Sequence, residues 1–425
     1  MIKYFSAWLF LLFANMPVAF SLAVMAVLWL LITDSNLLVN VPQRLVGGID
    51  SFPLLAVPFF ILAGHLMNSG GISERIYAFA RSIVGHLKGG LGHVNVLGSL
   101  IFSGMSGSAV ADAGGLGILE IKAMREDGYD DAFSGALTAA SCIIGPLVPP
   151  SIPMVLYGVM SNTSVGALFL AGVVPGVLTA IVLMLYVAYV ARKRNYPSHP
   201  WAGWIEIWRS FKRAFLALMT PVIIMGGIFG GIFTPTEAAG VAALYSLVLG
   251  MFIYRELKWH ELPRIFREAV STSAVVGFIV ACASLFSWVL AREQVPQQIA
   301  AGMLAISTNV TVLLLIINVL LLALGCIMEG IAIMILVVPV LMPIAAQVGI
   351  DPVHLGVVVV MNLMIGILTP PFGVALFVVS KVGNIPFHVL ARAILPFLVP
   401  LMVVQTIITF VPQSFMWLPN MVFGR

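Results

Sequence analysis

The chain has 425 residues, 61% of them hydrophobic, and a mean hydropathy of +1.09. Only 9% are charged, against about 25% in soluble domains. This excludes a soluble globular protein carrying one anchor and points to a chain that crosses a membrane many times. The net charge of +4 is no nucleic-acid signal, because the positive residues are distributed as membrane topology requires.

In chain order, Lys3 precedes an apolar run over 4–14 that could pass for a signal peptide. No small-x-small cleavage site follows, and Pro17 opens a second run to Ile32. Two short retained helices, 4–14 and 17–33, are expected. A span at 53–69 leads into "SERIYAFARSIVGHL", where Ser73 is a candidate cap and Ile76, Phe79, Ile83 and Leu87 share one face of an amphipathic helix. Short apolar pieces follow at 91–103, 108–121, 131–144 and 151–161, then a full span at 164–191. In the basic stretch after it, Trp201, Trp204 and Trp208 lie at helical spacing, which suits an interfacial helix. Full spans resume at 214–233, 236–254 and 269–291. Short pieces return at 311–324, 330–347, 352–366 and 373–381, and a last span covers 391–411. Cys142, Cys282 and Cys326 sit in apolar surroundings without metal-ligand spacing and read as packing residues.

The chain repeats itself. Residues 145–151 read "GPLVPPS" and residues 366–372 read "GILTPPF". Sliding the chain by 221 residues aligns 104–150 with 325–371 without a gap, at 10 identities in 47 positions. The matches fall on residues that fix backbone shape: Gly104 with Gly325, Gly128 with Gly349, Asp130 with Asp351, Gly135 with Gly356, Gly145 with Gly366, and both Pro-Pro pairs.

Counting crossings gives the orientation. With 91–121 taken as a hairpin that enters and leaves on one side, 17 of the 21 Lys and Arg fall on one face, all but Lys3, Arg44, Arg292 and Arg425. By the positive-inside rule that face is cytoplasmic. Both termini then lie outside, the hairpin at 311–347 opens from the outside, and the repeats are inverted. The expected fold is an all-α polytopic membrane protein with two inverted repeats. Each contains scaffold helices, an amphipathic arm, a re-entrant hairpin and a broken helix. The corresponding division is scaffold and arm over 1–90, a transport part over 91–161, a second scaffold and arm over 162–310, a second transport part over 311–381, and a C-terminal helix over 382–425.

Half-length helices in matching places of two inverted repeats point to a transporter's binding site. Residues 91–103 rise only about 20 Å as a helix, too little for a ~30 Å hydrocarbon core. Each Pro-Pro pair removes two N–H donors, so carbonyls near Gly145, Leu147 and Val148, and near Gly366, Leu368 and Thr369, lose their helical partners. Bare carbonyls at that depth are tolerated where something binds them, and a partly dehydrated Na⁺ suits them. The first tip, "SGMSGSAVAD", offers Ser103, Ser106 and Ser108. The second, "LGCIMEGIA", carries Glu329, the repeat partner of Ser108. A carboxyl so deep costs roughly 2.5–3.5 kcal/mol if charged near the bilayer centre, which points to contact with substrate or ion. Asp112, one turn beyond Ser108, either lines the same cavity or serves contacts between helices. Glu237, at a helix start after Pro235, suits the helix dipole and reads as structural.

The stretches "MNSGGISERI", "SGSAVAD", "GPLVPPSIP", "FTPTEAAGVAALY", "PVLMPIAAQVGIDPVHLGVV" and "GILTPPFG" resemble the large membrane subunit of tripartite ATP-independent periplasmic (TRAP) transporters, over nearly the whole chain. The resemblance implies a Na⁺-driven importer of organic acids in the bacterial inner membrane, working as an elevator, with no cofactor. It implies two partners, a small four-helix membrane subunit and a soluble periplasmic protein that captures substrate. Carried over by motif, one sodium site falls on Ser103, Ser106, Gly145, Val148 and Pro150. The other falls on Gly325, Gly366, Thr369 and Pro371. Substrate contacts fall on Ser108, Ser151 and Glu329, with Asp112 beside them; the family more often has Asp where Glu329 stands. The tip and break stretches are most similar to the sialic-acid subgroup.

Other classes fit less well. No Lys is followed by Ser or Thr, so no phosphate loop for an ATP-driven pump exists. Gly104-Met-Ser106-Gly107 matches the G-x-S-G of an intramembrane serine protease, with His65 as a candidate partner, but leaves the repeat unexplained. A channel is the remaining alternative.

Overall fold

Helices begin where the sequence supplies caps. Asp130 Oδ1 accepts from Phe133 N at 2.8 Å, and its repeat partner Asp351 accepts from Val353 N at 2.7 Å. Two residues before each, Gly128 and Gly349 adopt left-handed backbone, φ +83° and +75°. The Gly-x-Asp identity is thus one turn-and-cap device used twice. Glu237 closes a capping box: Thr234 N donates to Glu237 Oε2 at 2.8 Å, and Glu237 N donates to Thr234 Oγ1 at 3.3 Å.

The computed structural model describes Trp8, Leu11 and residues 16–424. Among the described residues every regular element is helical. The first half runs α1 (Val18–Thr33), α2 (Asn40–Ile49), α3 (Ala56–Ser69), the arm α4 (Ile72–Val84), the hairpin α5 (Gly90–Ser106), α6 (Ala109–Gly114) and α7 (Leu116–Glu126), the broken helix α8 (Asp131–Cys142) and α9 (Ile152–Ser161), then α10 (Val165–Arg194). After α11 (Gly203–Phe229) the order recurs. It runs α12 (Pro235–Val248), α13 (Leu262–Arg292), α14 (Val295–Ile306), the hairpin α15 (Val310–Gly325) and α16 (Gly330–Val348), and the broken helix α17 (Pro352–Gly366) and α18 (Val374–Gly383). The chain ends with α19 (Phe387–Ala393), α20 (Leu395–Phe410) and α21 (Gln413–Phe423). Six described segments are long and apolar enough to cross a membrane; this is a multi-pass membrane protein.

The two halves interlock. Helix α3 packs on α12, and α13 packs on α1, α2 and α3, while the arm α4 lies between α11 and α5. Helix α9 of the first broken helix packs on α16 of the second hairpin. Tyr157 Oη donates to Pro352 O at 2.8 Å, joining α9 to the start of α17. Gly356 makes room for that ring, since a Cβ there would lie 2.6 Å from it.

The structure corrects several boundaries. The run at 4–14 lies outside the described residues except for Trp8 and Leu11. Ser73 does not cap the arm: Gly71, in left-handed backbone, precedes it, and Ser73 Oγ donates to Asn68 Oδ1 at 2.9 Å. The interfacial tryptophan stretch and the span at 214–233 are one helix, α11, because no turn residue separates them; Trp204 and Trp208 are exposed at its foot. The piece at 108–121 is broken at Gly115, where Asn68 packs so closely that a Cβ would lie 2.5 Å from its amide. The span at 391–411 bends by 47° between α19 and α20, where Pro396 occupies the start of α20. Helices α2, α14 and α21 were not anticipated; each contains a proline that reads as a breaker. Helix α5 has 17 residues, about 26 Å at 1.5 Å each, still short of a bilayer core.

Candidate functional site: two hairpin tips against two helix breaks

At the first tip, α5 stops at Ser106 and the chain turns through Gly107, φ +61°. Ile152 N, just after the break, donates to Gly107 O at 3.2 Å. A Cβ on Gly107 would lie 2.4 Å from Pro150 O, and one on Gly145 would lie 3.5 Å from the Ser108 carbonyl carbon. Tip and break therefore touch backbone to backbone. Ser108 caps α6 by accepting from Ala111 N at 3.4 Å. Ser151 caps α9, accepting from Met154 N at 3.2 Å, and its hydroxyl donates to Pro146 O across the break. Ser103 Oγ donates to Leu100 O at 2.6 Å. Ser106 Oγ is buried with no hydrogen-bond partner.

The break leaves carbonyls bare, as two prolines in sequence require. Among the described residues nothing donates to the oxygens of Gly145, Leu147 or Val148. That of Leu147 points toward α10, 2.2 Å from where a Cβ on Gly172 would stand. Both Pro149–Pro150 and Pro370–Pro371 are cis.

The second tip and break meet more closely. A Cβ on Gly325 would lie 2.7 Å from Gly366 Cα, and the reverse distance is also 2.7 Å. In the first repeat a Cβ on Gly104, the partner of Gly325, would instead lie 2.8 Å from Pro221 of α11. Thr369 Oγ1 donates to Ile365 O at 2.9 Å. Among the described residues the carbonyls of Leu368 and Thr369 accept nothing, but that of Gly366 accepts from Thr369 N at 2.9 Å, so it is not free as the sequence suggested. Pro371 closes this break as Pro150 closes the first. Glu329 caps α16, accepting from Ala332 N at 3.1 Å. The repeat partners Ser108 and Glu329 thus share a capping role, which explains their alignment without a ligand.

A cavity of about 650 Å³ opens between the first tip and α3, α4 and α13. Ser106, Ser108, His65, Asn68, Arg264 and Glu268 line it. Of the expected substrate residues only Ser108 reaches it. Ser151 is fully buried, Glu329 belongs to the other tip, and Asp112 is buried facing Ser99 and Glu120. Asn68, inside the expected apolar span 53–69, carried a sequence signal for a lined cavity; Arg264 and Glu268 did not, because they precede the expected span 269–291 and join the helix only in the structure. His65 Nδ1 lies 3.7 Å from Glu268 and Ser106 has no hydrogen-bonded base, so the nucleophile–base pair of a serine protease is not assembled. All three cysteines are free.

The sequence pattern described as the DctM component of the tripartite ATP-independent periplasmic transporters matches residues 5–414. The chain belongs to that family. It is 57% identical over 417 residues to the sialic acid TRAP transporter large permease protein SiaM of Vibrio cholerae, covering 98% of each chain. It is 49% identical over 414 residues to the sialic acid TRAP transporter permease protein SiaT of Haemophilus influenzae, covering 97% of this chain and 67% of that one. In fold it is similar to the YdaH transporter of Alcanivorax borkumensis, with a TM-score of 0.65 at 18% identity over 91% of both chains. The TRAP relatives are permeases, so this is a transporter component and not an enzyme.

Proposed function

We propose that this chain is the large membrane subunit of a Na⁺-coupled importer of an organic acid, with sialic acid first among the candidates. It works in the bacterial inner membrane with a small four-helix subunit and a periplasmic binding protein that delivers the substrate. The observation that carries the sodium reading is the doubled juxtaposition of tip and break. The open carbonyls of Gly145 and Val148 at the break, with the unpartnered Ser106 hydroxyl at the tip that touches it, suit one cation. The Gly325–Gly366 contact with Thr369 suits a second. Ion charge there is better matched by open oxygens than by a dry kink. Ser108 on the cavity wall, and Ser151 and Glu329 behind the tips, are the substrate-side residues of this reading. The 57% identity to a sialic-acid permease supports the substrate.

In this reading the two halves are inverted repeats and both termini are periplasmic. The hairpins and broken helices, 91–161 and 311–381, travel as an elevator past the scaffold. The small subunit packs on the scaffold side, where the exposed Trp204 and Trp208 flank the arm. Two Na⁺ entering with a monoanion leave a net charge of at least +1, and a potential of ~100 mV contributes roughly 2.3 kcal/mol per charge. Uptake into proteoliposomes holding both membrane subunits, with loaded binding protein and the potential clamped by K⁺ and valinomycin, should be electrogenic with a Hill coefficient for Na⁺ above one. Sodium-independent uptake refutes the reading. A cysteine at Ser108 should switch its side of labelling during transport; equal labelling in every state contradicts an elevator.

A further inference from the structure

Beyond the first tip lies a buried polar cluster that the transport reading does not use. Asp112 on α6 and Glu120 on α7 are each only 1% exposed. Asn95 of α5 donates its amide to Glu120 Oε2 and to Thr138 Oγ1 of α8, both at 2.8 Å. Ser141 of α8 donates to Asn95 Oδ1 at 2.7 Å. Ser99 of α5 donates to Ser141 at 3.2 Å and faces Asp112. After these bonds are formed, both oxygens of Asp112 and Oε1 of Glu120 remain buried without a hydrogen-bond partner.

The two carboxyl groups lie in each other's field. The other titratable groups that face them are Tyr77 of the arm α4, opposite Glu120, and Cys142 of α8, opposite both. None of these is basic, so no counter-charge offsets the pair. A buried carboxylate without a counter-ion takes up a proton instead, and two that share a site titrate as a unit. A metal ion fits less well. Three free carboxyl oxygens and one hydroxyl fall short of the roughly six or more oxygens a hard cation gathers, and the neighbouring backbone is helical. In the second half of the chain the repeat partners of Asp112 and Glu120 are the apolar Ile333 and Leu341, and the polar network between the matching helices α15 and α17 is neutral. Asn362, repeat partner of Ser141, donates to Asn318 Oδ1 at 2.8 Å, and Gln405 and Thr409 donate to the same oxygen. An amide and a protonated carboxylic acid have the same shape and each supply a donor.

We propose that Asp112 and Glu120 form a proton-binding site inside the first hairpin, in which at least one of the two carboxyl groups carries a proton at neutral pH. The proton joins the pair from water and no bond other than O–H forms. The hairpin interior then carries at least one negative charge fewer than its residues suggest. Such a site is independent of which substrate or coupling ion the transporter uses.

The test is infrared spectroscopy of the full-length chain in lipid nanodiscs at pH 7, in H₂O and D₂O. All samples carry Glu329→Gln, so that the other deep carboxyl cannot contribute. The expected spectrum has the carbonyl band of a protonated carboxylic acid, shifted in D₂O and absent from the double variant Asp112→Asn with Glu120→Gln. Should the double variant not fold, the single variants decide, since at least one must shift or weaken the band. A sample with no such band, or a band left unchanged by both single substitutions, overturns the proposal.

Discussion

Gly325→Ala probes the second tip-and-break pair most directly. The added methyl carbon would stand 2.7 Å from Gly366 Cα, where ordinary contact begins near 3.4 Å. The obstacle is backbone, so no rotamer relieves it, and α15 and α17 must part by roughly 0.7 Å, with an overpacking cost of about 1–3 kcal/mol. If the oxygens around this contact hold Na⁺, that displacement falls on the ion's own shell, and a loss of about 1.4 kcal/mol is already tenfold in affinity. The expected result is a rise of about tenfold in the Na⁺ concentration for half-maximal uptake, measured in proteoliposomes with both membrane subunits and loaded binding protein. Gly240→Ala is the control. It lies in α12 with nothing within 4 Å, so it should leave Na⁺ dependence unchanged and stabilise the helix by up to about 1 kcal/mol. A Gly325→Ala protein with wild-type Na⁺ dependence and wild-type melting temperature would refute both the contact and the site built on it.

Ser106→Ala removes a hydroxyl that makes no hydrogen bond, so the melting temperature should hold while Na⁺ affinity falls; the reverse pattern contradicts the first site. Thr369→Val keeps the shape and should lower the Hill coefficient toward one, whereas Val148→Ala, which contributes only its carbonyl, should not. Asp130 tests the loop. Burial alone would raise its carboxyl, but the Tyr196 hydroxyl, the Phe133 N–H and Arg194 together hold it below the usual carboxylate range. A depressed folded value stabilises above the unfolded value of about 3.9 and loses that contribution as pH falls through the folded one. Asp130→Asn should therefore lower the melting temperature at pH 7, and the difference from wild type should shrink below about pH 4. A difference independent of pH would contradict this.

What the sequence made legible was the part written in backbone-shaping residues. Gly128 and Asp130, with Gly349 and Asp351, are a turn and a cap, and the Pro-Pro pairs open carbonyls because proline has no N–H to give. Boundaries failed where hydropathy was asked to report helix continuity. Helix α11 runs unbroken from its exposed tryptophans into an apolar span, and α14 starts after Gln294, a residue with no turn signature that nonetheless adopts φ +55°. Side-chain partners were not legible. Ser108 and Glu329 each give an oxygen to a helix cap besides the role expected of them, and Asp112 turns inward to Glu120, which no spacing rule reveals.

Helix α10 has a consequence for how the molecule divides. A Cβ on Gly172 would lie 2.2 Å from Leu147 O, and one on Gly176 would lie 2.2 Å from Val148 Cγ2. The bare Leu147 carbonyl and the Val148 side chain of the first break are thus bedded directly in the flank of α10, which also packs on α17, α20 and α21. A displacement of the break along the bilayer normal would drag α10 and the C-terminal helices with it. In the elevator proposed above, α10 and the C-terminal helices would therefore join the broken helix rather than the stationary scaffold, against the division expected from the sequence. The segment 195–202 after α10 has no regular secondary structure but is held to the same body: Pro197 O accepts from Gly89 N at 3.0 Å, His199 lies 3.0 Å from Asp127, and Tyr196 is buried against Tyr129.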